Sequence, residues 1–391
     1  MPSVQYHRLA RTPAHRWWRP VLGTLFILAG GAIVALFSYL AVTAVALLAG
    51  QPNNADGMPS FGDRADLALG FLSIAVLLPL TLLAARWIQR RPAGTLSSVT
   101  GRLRWRFLLT LLPVALVAVA VLLAGGLGLS TVTGVEDTGL ADDLAGWGPF
   151  ALSMVLLLLV VPPQAAAEEY LTRGWLLQAA GVWCRRPWAP IVFQALVFAA
   201  AHGWGTPWGF ADLFVFGAVT GWLTVRTGGL EAAIALHVVN NLLAAGVAAA
   251  YNRLTVTETA ADMPWQMFAV DLVVLPAYAV VVLALAKRQR LVTSGDVAGG
   301  GQPASDDVVG GAPFASGDVA GGAQHGQGAQ SLGAGDGLVV LGLDGQGHFD
   351  RLPDPGGLGD LGRLGGGRHS LLELDRQAER ADDHDGRPGG R

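Results

Sequence analysis

The sequence predicts an all-α fold, a polytopic transmembrane helical bundle of about eight spans followed by a disordered C-terminal tail. Hydrophobic residues make up 52% of the 391 residues and charged residues only 14%, and the mean hydropathy is +0.45. The hydrophobic residues fall in long runs, as expected for helices that cross a lipid bilayer. Beyond residue 290 the composition changes abruptly to one rich in glycine and aspartate.

The predicted spans follow one another as apolar runs separated by polar loops. The runs cover residues 21–48, 67–85, 107–127, 150–161 with a continuation past Pro162-Pro163, 191–201, 211–225, 232–250 and 267–286. The first run is too long for a signal-peptide core and no clear small-residue cleavage site follows it, so we expect it to remain as an uncleaved helix. Because proline suits a first helical turn better than a helix interior, a new helical segment is predicted to begin at Pro162-Pro163.

The chain divides into four regions by composition. They are a cytoplasmic segment (1–20), N-terminal transmembrane helices (21–146), a second group of transmembrane helices that carries the polar motifs (147–290), and a low-complexity tail (291–391). In the tail, residues 295–300 recur at 317–322. Such a segment cannot bury enough apolar surface to offset its ordering entropy, so it is predicted to be disordered. Non-native extension sequence is the alternative interpretation of the tail.

Basic residues are concentrated in alternate loops, which predicts a multi-pass protein of the plasma membrane with both termini in the cytoplasm. The other loops are mainly acidic, with Asp56, Asp63, Glu136, Asp137, Asp142, Asp143, Glu258 and Asp262. This charge pattern is explained by membrane topology and gives no reason to expect nucleic-acid binding. The single cysteine, Cys184, excludes a disulfide framework and any multi-cysteine metal site within the chain.

The first polar motif is a pair of glutamates, Glu168 and Glu169, followed by Arg173. At i,i+4 spacing Glu169 faces Arg173, whereas Glu168 points about 100° away around the helix. Ionised groups in hydrocarbon cost about 2.5–3.5 kcal/mol each on insertion scales, so they are retained where they have a partner or a function. The motif therefore predicts one held carboxylate and one free carboxylate, with an ion pair at the membrane interface as the alternative.

The second and third motifs lie on later spans. His202 shares a helix face with Gln194 and Phe198, and His237 lies one turn before Asn241. Taken singly, each is as well explained by a hydrogen bond between helices. Taken together, the carboxylates, imidazoles and amide supply what amide hydrolysis requires: a base for water, a proton donor for the leaving amine and donors for the oxyanion.

The three motifs resemble those of a known family. Glu168-Glu169-x-x-x-Arg173-Gly174, Phe198-x-x-x-His202 and His237-x-x-x-Asn241 are similar to the signature motifs of the CPBP family. This family includes CAAX prenyl endopeptidases of the Rce1 type and bacterial membrane proteases of bacteriocin processing and self-immunity (the Abi group). The resemblance covers roughly residues 150–250.

The resemblance implies an intramembrane endopeptidase that cleaves a membrane-associated protein or peptide. Glu168 would be the general base, His202 would hold the same water or relay its proton, and His237 and Asn241 would bind the oxyanion. Glu169 and Arg173 would be supporting groups. No cofactor is favoured under this glutamate-type mechanism. A C-terminal C-a-a-X substrate is a family-level expectation only.

Two alternatives remain. In a zinc-dependent metalloprotease, Glu168, His202 and His237 would be the ligands, although the H-E-x-x-H helix of soluble zinc proteases is absent. In a transporter or a non-catalytic membrane protein, the same polar residues would relay protons or bind a solute. No pattern comparable to these motifs occurs in the first four predicted spans, as an inverted repeat would require.

Overall fold

The computed structural model describes residues 4–53, 57–134, 144–254 and 260–295. The prediction of an all-α membrane bundle is confirmed. Within the described ranges, extended structure is limited to two isolated bridges and to strands β1 (Val4–Gln5) and β2 (Ser294–Gly295), which pair antiparallel. The tail beyond residue 295 lies outside the described residues. So do six of the acidic loop residues named above, which are Asp56, Glu136, Asp137, Asp142, Asp143 and Glu258.

Ten α-helices form the described part of the chain. They are α1 (Trp18–Ala49), α2 (Asp63–Ala75), α3 (Leu77–Leu83), α4 (Trp105–Val132), α5 (Trp147–Glu169), α6 (Leu177–Gly181), α7 (Trp188–Ala201), α8 (Pro207–Thr227), α9 (Glu231–Ala250) and α10 (Trp265–Arg288). One π-helical turn, Ala84–Ile88, extends α3, and a second, Tyr170–Leu176, joins α5 to α6. Short 3₁₀ turns lie at Tyr6–Arg8, Ala93–Leu96 and Ala260–Asp262.

Seven helices in the described ranges are long and apolar enough to cross a membrane, counting Asp63–Ile88 and Trp147–Gly181 as one each. The remaining predicted span is α7, which has 14 residues. At 1.5 Å per residue α7 is about 21 Å long, shorter than a hydrocarbon core of about 30 Å. The eighth apolar run therefore forms a short helix that ends at the site described below.

The loop contacts show that α7 still carries the chain from one end of the bundle to the other. Strand β1 precedes α1 and pairs with β2, which follows α10, so both lie at the same end. The loops before α4 and before α9 are at this end too, since Val99 donates its backbone N–H to the carbonyl of Gly228 (2.8 Å) and Arg104 donates from Nη1 to the carbonyl of Val292 (3.1 Å), close to β2. The segment before α7 is at the same end, because Gly181 lies against the backbone of His7. At the other end, Thr206 donates its backbone N–H to Ala261 (2.8 Å). This arrangement agrees with an even number of passages.

The structure corrects the prediction of a new helical segment at Pro162-Pro163, because α5 continues through both prolines to Glu169. Membrane helices tolerate internal proline where neighbouring helices and local adjustments of the helix satisfy the freed backbone groups. Pro113 and Pro276 are likewise inside α4 and α10. The glutamate pair is therefore at the end of a long helix rather than in the first turns of a new one.

Helix α9 lies at the centre of the bundle and packs against α4, α5 and α8. Its first half is buried on all sides and rich in alanine, which lets the neighbouring helices approach closely. Helix α8 packs against α7 at Gly217, where a Cβ atom would lie 3.0 Å from the Cα of Ala195. Helix α1, by contrast, exposes most of its large apolar side chains, as a helix facing lipid does. The polar motifs thus lie on the inner helices.

Candidate active site

The glutamate pair occupies the point where α5 changes into the π-helical turn Tyr170–Leu176. A π-helical turn inserts one extra residue into the helical repeat, and such turns are frequent at functional sites. Arg173 lies within this turn and remains one turn from Glu169, so the two side chains still meet. The change of helix type places an ion pair and a second carboxylate on the part of the helix that faces α7, α8 and α9.

Glu169 is fully buried and accepts hydrogen bonds from one guanidinium and one imidazole group. Its Oε1 accepts hydrogen bonds from Nη1 of Arg173 (3.0 Å) and from Nδ1 of His237 (2.7 Å). Arg173 also donates to the hydroxyls of Thr220 (3.1 Å) and Thr172 (2.8 Å). The predicted pairing of Glu169 with Arg173 is thus present, and it extends to His237 on another helix.

Glu168 has a different environment. Its side chain is 15% exposed, and its Oε1 accepts a hydrogen bond from the Nε2 of Gln164. Its Oε2 makes no hydrogen bond within the described structure, and lies 3.8 Å from Nε2 of His202 and 3.7 Å from Nε2 of His237. These distances are longer than direct hydrogen bonds, so Oε2 of Glu168 is close to both imidazoles without bonding directly to either.

The hydrogen bonds of the two histidines fix which ring nitrogens face Glu168. Nδ1 of His202 lies 2.8 Å from the carbonyl oxygen of Phe198, and Nδ1 of His237 faces the carboxylate of Glu169. Carbonyl and carboxylate oxygens only accept, so each Nδ1 carries the proton. In the neutral rings, both Nε2 atoms therefore present lone pairs towards Glu168.

Aromatic rings enclose this group of polar atoms. Phe198 stacks on Phe216 with 5.8 Å between ring centroids, and both rings meet His237 edge to face. The guanidinium of Arg173 lies over Phe198 at 4.1 Å from the ring centroid. A cation over the ring face is attracted to it, and the apolar walls strengthen the electrostatic interactions inside.

Asn241 reaches the site indirectly. Its Nδ2 donates to Oε1 of Gln164 (3.1 Å), and its Oδ1 lies 3.4 Å from the Nδ2 of Asn240. Gln164 is 3% exposed and joins Asn241 to Glu168. Gln164 and Thr220 were not singled out from the sequence. The only sequence signal for Gln164 is an amide one helical turn before Glu168 in an apolar run.

The six predicted site residues therefore divide by contact. Both histidines face Glu168, Glu169 bonds to Arg173 and to His237, and Asn241 connects to Glu168 through Gln164. Within the described ranges, no group of three or more His, Cys, Asp or Glu side chains is arranged to hold a metal ion.

This fold and site define a polytopic helical membrane protein with a buried cluster of carboxylates and imidazoles. Residues 148–243 match the sequence model of the type II CAAX prenyl endopeptidase Rce1-like family, which confirms the resemblance drawn from the three motifs. The matched segment runs from α5 into α9 and contains all three motifs.

One curated relative is similar over a longer stretch. An uncharacterized protein of Bacillus subtilis (strain 168), YyaK, is 26% identical over 183 residues, which are 45% of this chain and 59% of the relative. The chain thus spans less than two thirds of that relative's length. No solved structure matches the chain.

Proposed function

We propose that this protein is an intramembrane endopeptidase that hydrolyses a peptide bond in a membrane-associated protein or peptide, with a glutamate-type mechanism. The observation that carries the proposal is the unpaired Oε2 of Glu168, which faces the Nε2 atoms of two histidines. A buried carboxylate oxygen without a partner costs free energy, so its retention among three ionisable side chains favours a role in chemistry. The family match supports a protease in general.

The first step is the activation of water. A water molecule beside Glu168 and His202 donates one hydrogen bond to Oε2 of Glu168 and a second hydrogen bond to Nε2 of His202. As Glu168 takes the proton, the oxygen attacks the carbonyl carbon and the carbonyl electrons move onto its oxygen. Glu168 then passes the proton to the amide nitrogen as the C–N bond breaks. A positioned base of this kind contributes about 10²–10⁴ in rate.

The second requirement is stabilisation of the oxyanion. Asn241 uses one of its two Nδ2 hydrogens on Gln164 and has another for the oxyanion. His237 donates from Nε2 when its ring is protonated, because Nδ1 already serves Glu169. Oxyanion donors are worth about 10²–10³ in rate.

The same side chains provide the alternative zinc-dependent mechanism. Glu168, His202 and His237 would be the ligands, with Oε2 of Glu168 3.8 and 3.7 Å from the two Nε2 atoms, although within the described ranges these side chains do not form a ready-made metal site. Bound zinc would lower the pKa of a water molecule towards neutrality. Turnover by purified protein before and after treatment with a chelator distinguishes the mechanisms. Full activity after chelation and removal of metal supports the glutamate type, whereas loss that added zinc restores supports the zinc type.

We place the protein in the plasma membrane with both termini in the cytoplasm. Support for this orientation comes from the basic residues in alternate loops. The loop after α6 lies at the same end as the N-terminal residues, because Gly181 packs against the backbone of His7. Cys184 in that loop is half-exposed and is the single cysteine. A membrane-impermeant maleimide should therefore label inverted vesicles and leave intact cells unlabelled. Labelling of intact cells would reverse the proposed orientation.

The experiment that tests the function compares wild-type cells with cells carrying Glu168→Ala, His202→Ala or His237→Ala. Membrane peptides and proteins that accumulate uncut are identified by mass spectrometry, at matched abundance of the variants. The purified proteins are then assayed in proteoliposomes with a quenched fluorescent peptide ending in a farnesylated C-a-a-X sequence and with its unfarnesylated counterpart. Normal processing and turnover by Glu168→Ala would refute the protease proposal and favour a transporter or scaffold.

A further inference from the structure

Gln164 connects two parts of the site that the sequence motifs treat as separate. It lies in α5 one helical turn before Glu168, and its side chain is buried. Its Nε2 donates to Oε1 of Glu168, and its Oε1 accepts from Nδ2 of Asn241 at 3.1 Å. A single amide thus joins the carboxylate on α5 to the amide on α9.

The direction of each bond follows from chemistry. The carboxylate of Glu168 can only accept, so the nitrogen of Gln164 must face it and the oxygen of Gln164 must face α9. The oxygen then requires a donor, which is Nδ2 of Asn241. Reversing the amide of Gln164 would place oxygen against oxygen at Glu168 and nitrogen against nitrogen at Asn241. The connected amides therefore have one favourable arrangement.

This arrangement determines which oxygen of Glu168 remains free. With Oε1 engaged by Gln164, it is Oε2 that lies 3.8 Å from Nε2 of His202 and 3.7 Å from Nε2 of His237. Both histidine rings are fixed independently, through Phe198 and Glu169. Glu168 has no other hydrogen bond to its side chain within the described residues, so its orientation depends on Gln164.

We infer that Gln164 is a positioning residue. It holds Glu168 with Oε2 towards the histidines and keeps Asn241 in place beside Glu168. This inference rests on the proposed function. Gln164 acts through its two neighbours and takes no proton in the reaction. Its removal should misplace the base and one oxyanion donor while leaving the binding of substrate largely unaffected.

The test replaces Gln164 by methionine, which has a similar length and no donor. The matched control is Gln266→Met. Gln266 is also a buried glutamine in a membrane helix, and its Nε2 also donates to a side-chain oxygen, the hydroxyl of Thr133 (3.0 Å). Turnover is measured in proteoliposomes on whichever of the two quenched peptides the wild type cleaves faster. We expect Gln164→Met to lower kcat about 10–100-fold with KM changed by less than about twofold, and Gln266→Met to leave kcat within about twofold.

A second variant covers the case in which Gln164→Met does not accumulate. Gln164→Glu keeps the length and the acceptor for Asn241 but, when ionised, has no hydrogen to donate to Glu168. It should lower kcat at least as much. A wild-type kcat in either folded variant would overturn the inference, and so would failure of both variants to accumulate, because Gln164 would then serve folding alone.

The outcomes also separate this inference from the proposed function. If Glu168→Ala is inactive and Gln164→Met retains the wild-type kcat, the endopeptidase stands and the positioning role is wrong. If Glu168→Ala is as active as the wild type, the proposed function itself fails.

Discussion

Replacing the two partners of the buried ion pair, singly and together, should separate stability from catalysis. Arg173 and Glu169 are fully buried and 3.0 Å apart, and Arg173 makes two further hydrogen bonds to hydroxyls. Removing one partner of a buried pair leaves an uncompensated charge and typically costs about 3–5 kcal/mol. Arg173→Met should therefore lower the free energy of unfolding by about that amount.

Replacing both partners should give a different result. In Arg173→Met/Glu169→Gln no unpaired charge remains, and exchange of a buried pair for neutral groups of similar volume is often close to neutral. We expect the double variant to regain most of the lost stability. It should stay impaired in turnover, because Nδ1 of His237 would lose the carboxylate oxygen of Glu169 that orients its ring.

The assay combines thermal unfolding in detergent with kcat in proteoliposomes. Arg104→Met is the matched control, since Arg104 forms a bidentate ion pair with the buried Glu231 (2.9 and 2.6 Å) away from the site, at the start of α4. It should reduce stability without reducing kcat per folded molecule. A double variant that is as unstable as Arg173→Met, or that turns over like the wild type, would refute this account of the pair.

Three further predictions concern other parts of the chain. Asn241→Ala should lower kcat about 10²–10³-fold, and a change below about twofold would exclude Asn241 as an oxyanion donor. Removal of metal by a chelator should leave turnover unchanged; loss of turnover that zinc restores would contradict the glutamate mechanism. Burial lowers the pKa of His7, which lies before α1, so its neutral form is favoured in the folded protein. Near pH 6.5, the ordinary pKa of histidine, the unfolded chain therefore binds more protons at His7 than the folded chain does. The contribution of neutral His7 to the free energy of unfolding is lost as the pH falls below about 6.5. The unfolding temperature of His7→Phe should therefore fall less than that of the wild type between pH 7.5 and 5, and equal falls would contradict the prediction.

The sequence was sufficient for those features of the site that depend on local spacing. The pairing of Glu169 with Arg173 follows from their i,i+4 positions, and the different direction of Glu168 follows from the same helical geometry. Predicting that Glu168, His202 and His237 converge required the family resemblance, because no local rule of helix geometry brings three helices together. In the structure the Nε2 atoms of His202 and His237 lie 3.8 and 3.7 Å from Oε2 of Glu168.

Features set by tertiary contacts could not be predicted. Gln164 is one polar residue in an apolar run, and its role depends on Asn241, 77 positions later. The continuation of α5 through Pro162 and Pro163 was predicted wrongly, because proline rules describe an isolated helix and neighbouring helices compensate for the lost bonds. The shortness of α7 was not recognised either, since the apolar run itself does not show where the helix ends.

The central claim is that Oε2 of Glu168 activates water between two imidazoles in the membrane. Its most direct measurement is the kcat of Glu168→Gln in proteoliposomes, at equal folded protein, because glutamine keeps the size of the side chain and removes the base. We predict a loss of about 10²–10⁴-fold with little change in KM. A kcat within about twofold of the wild type would contradict the claim.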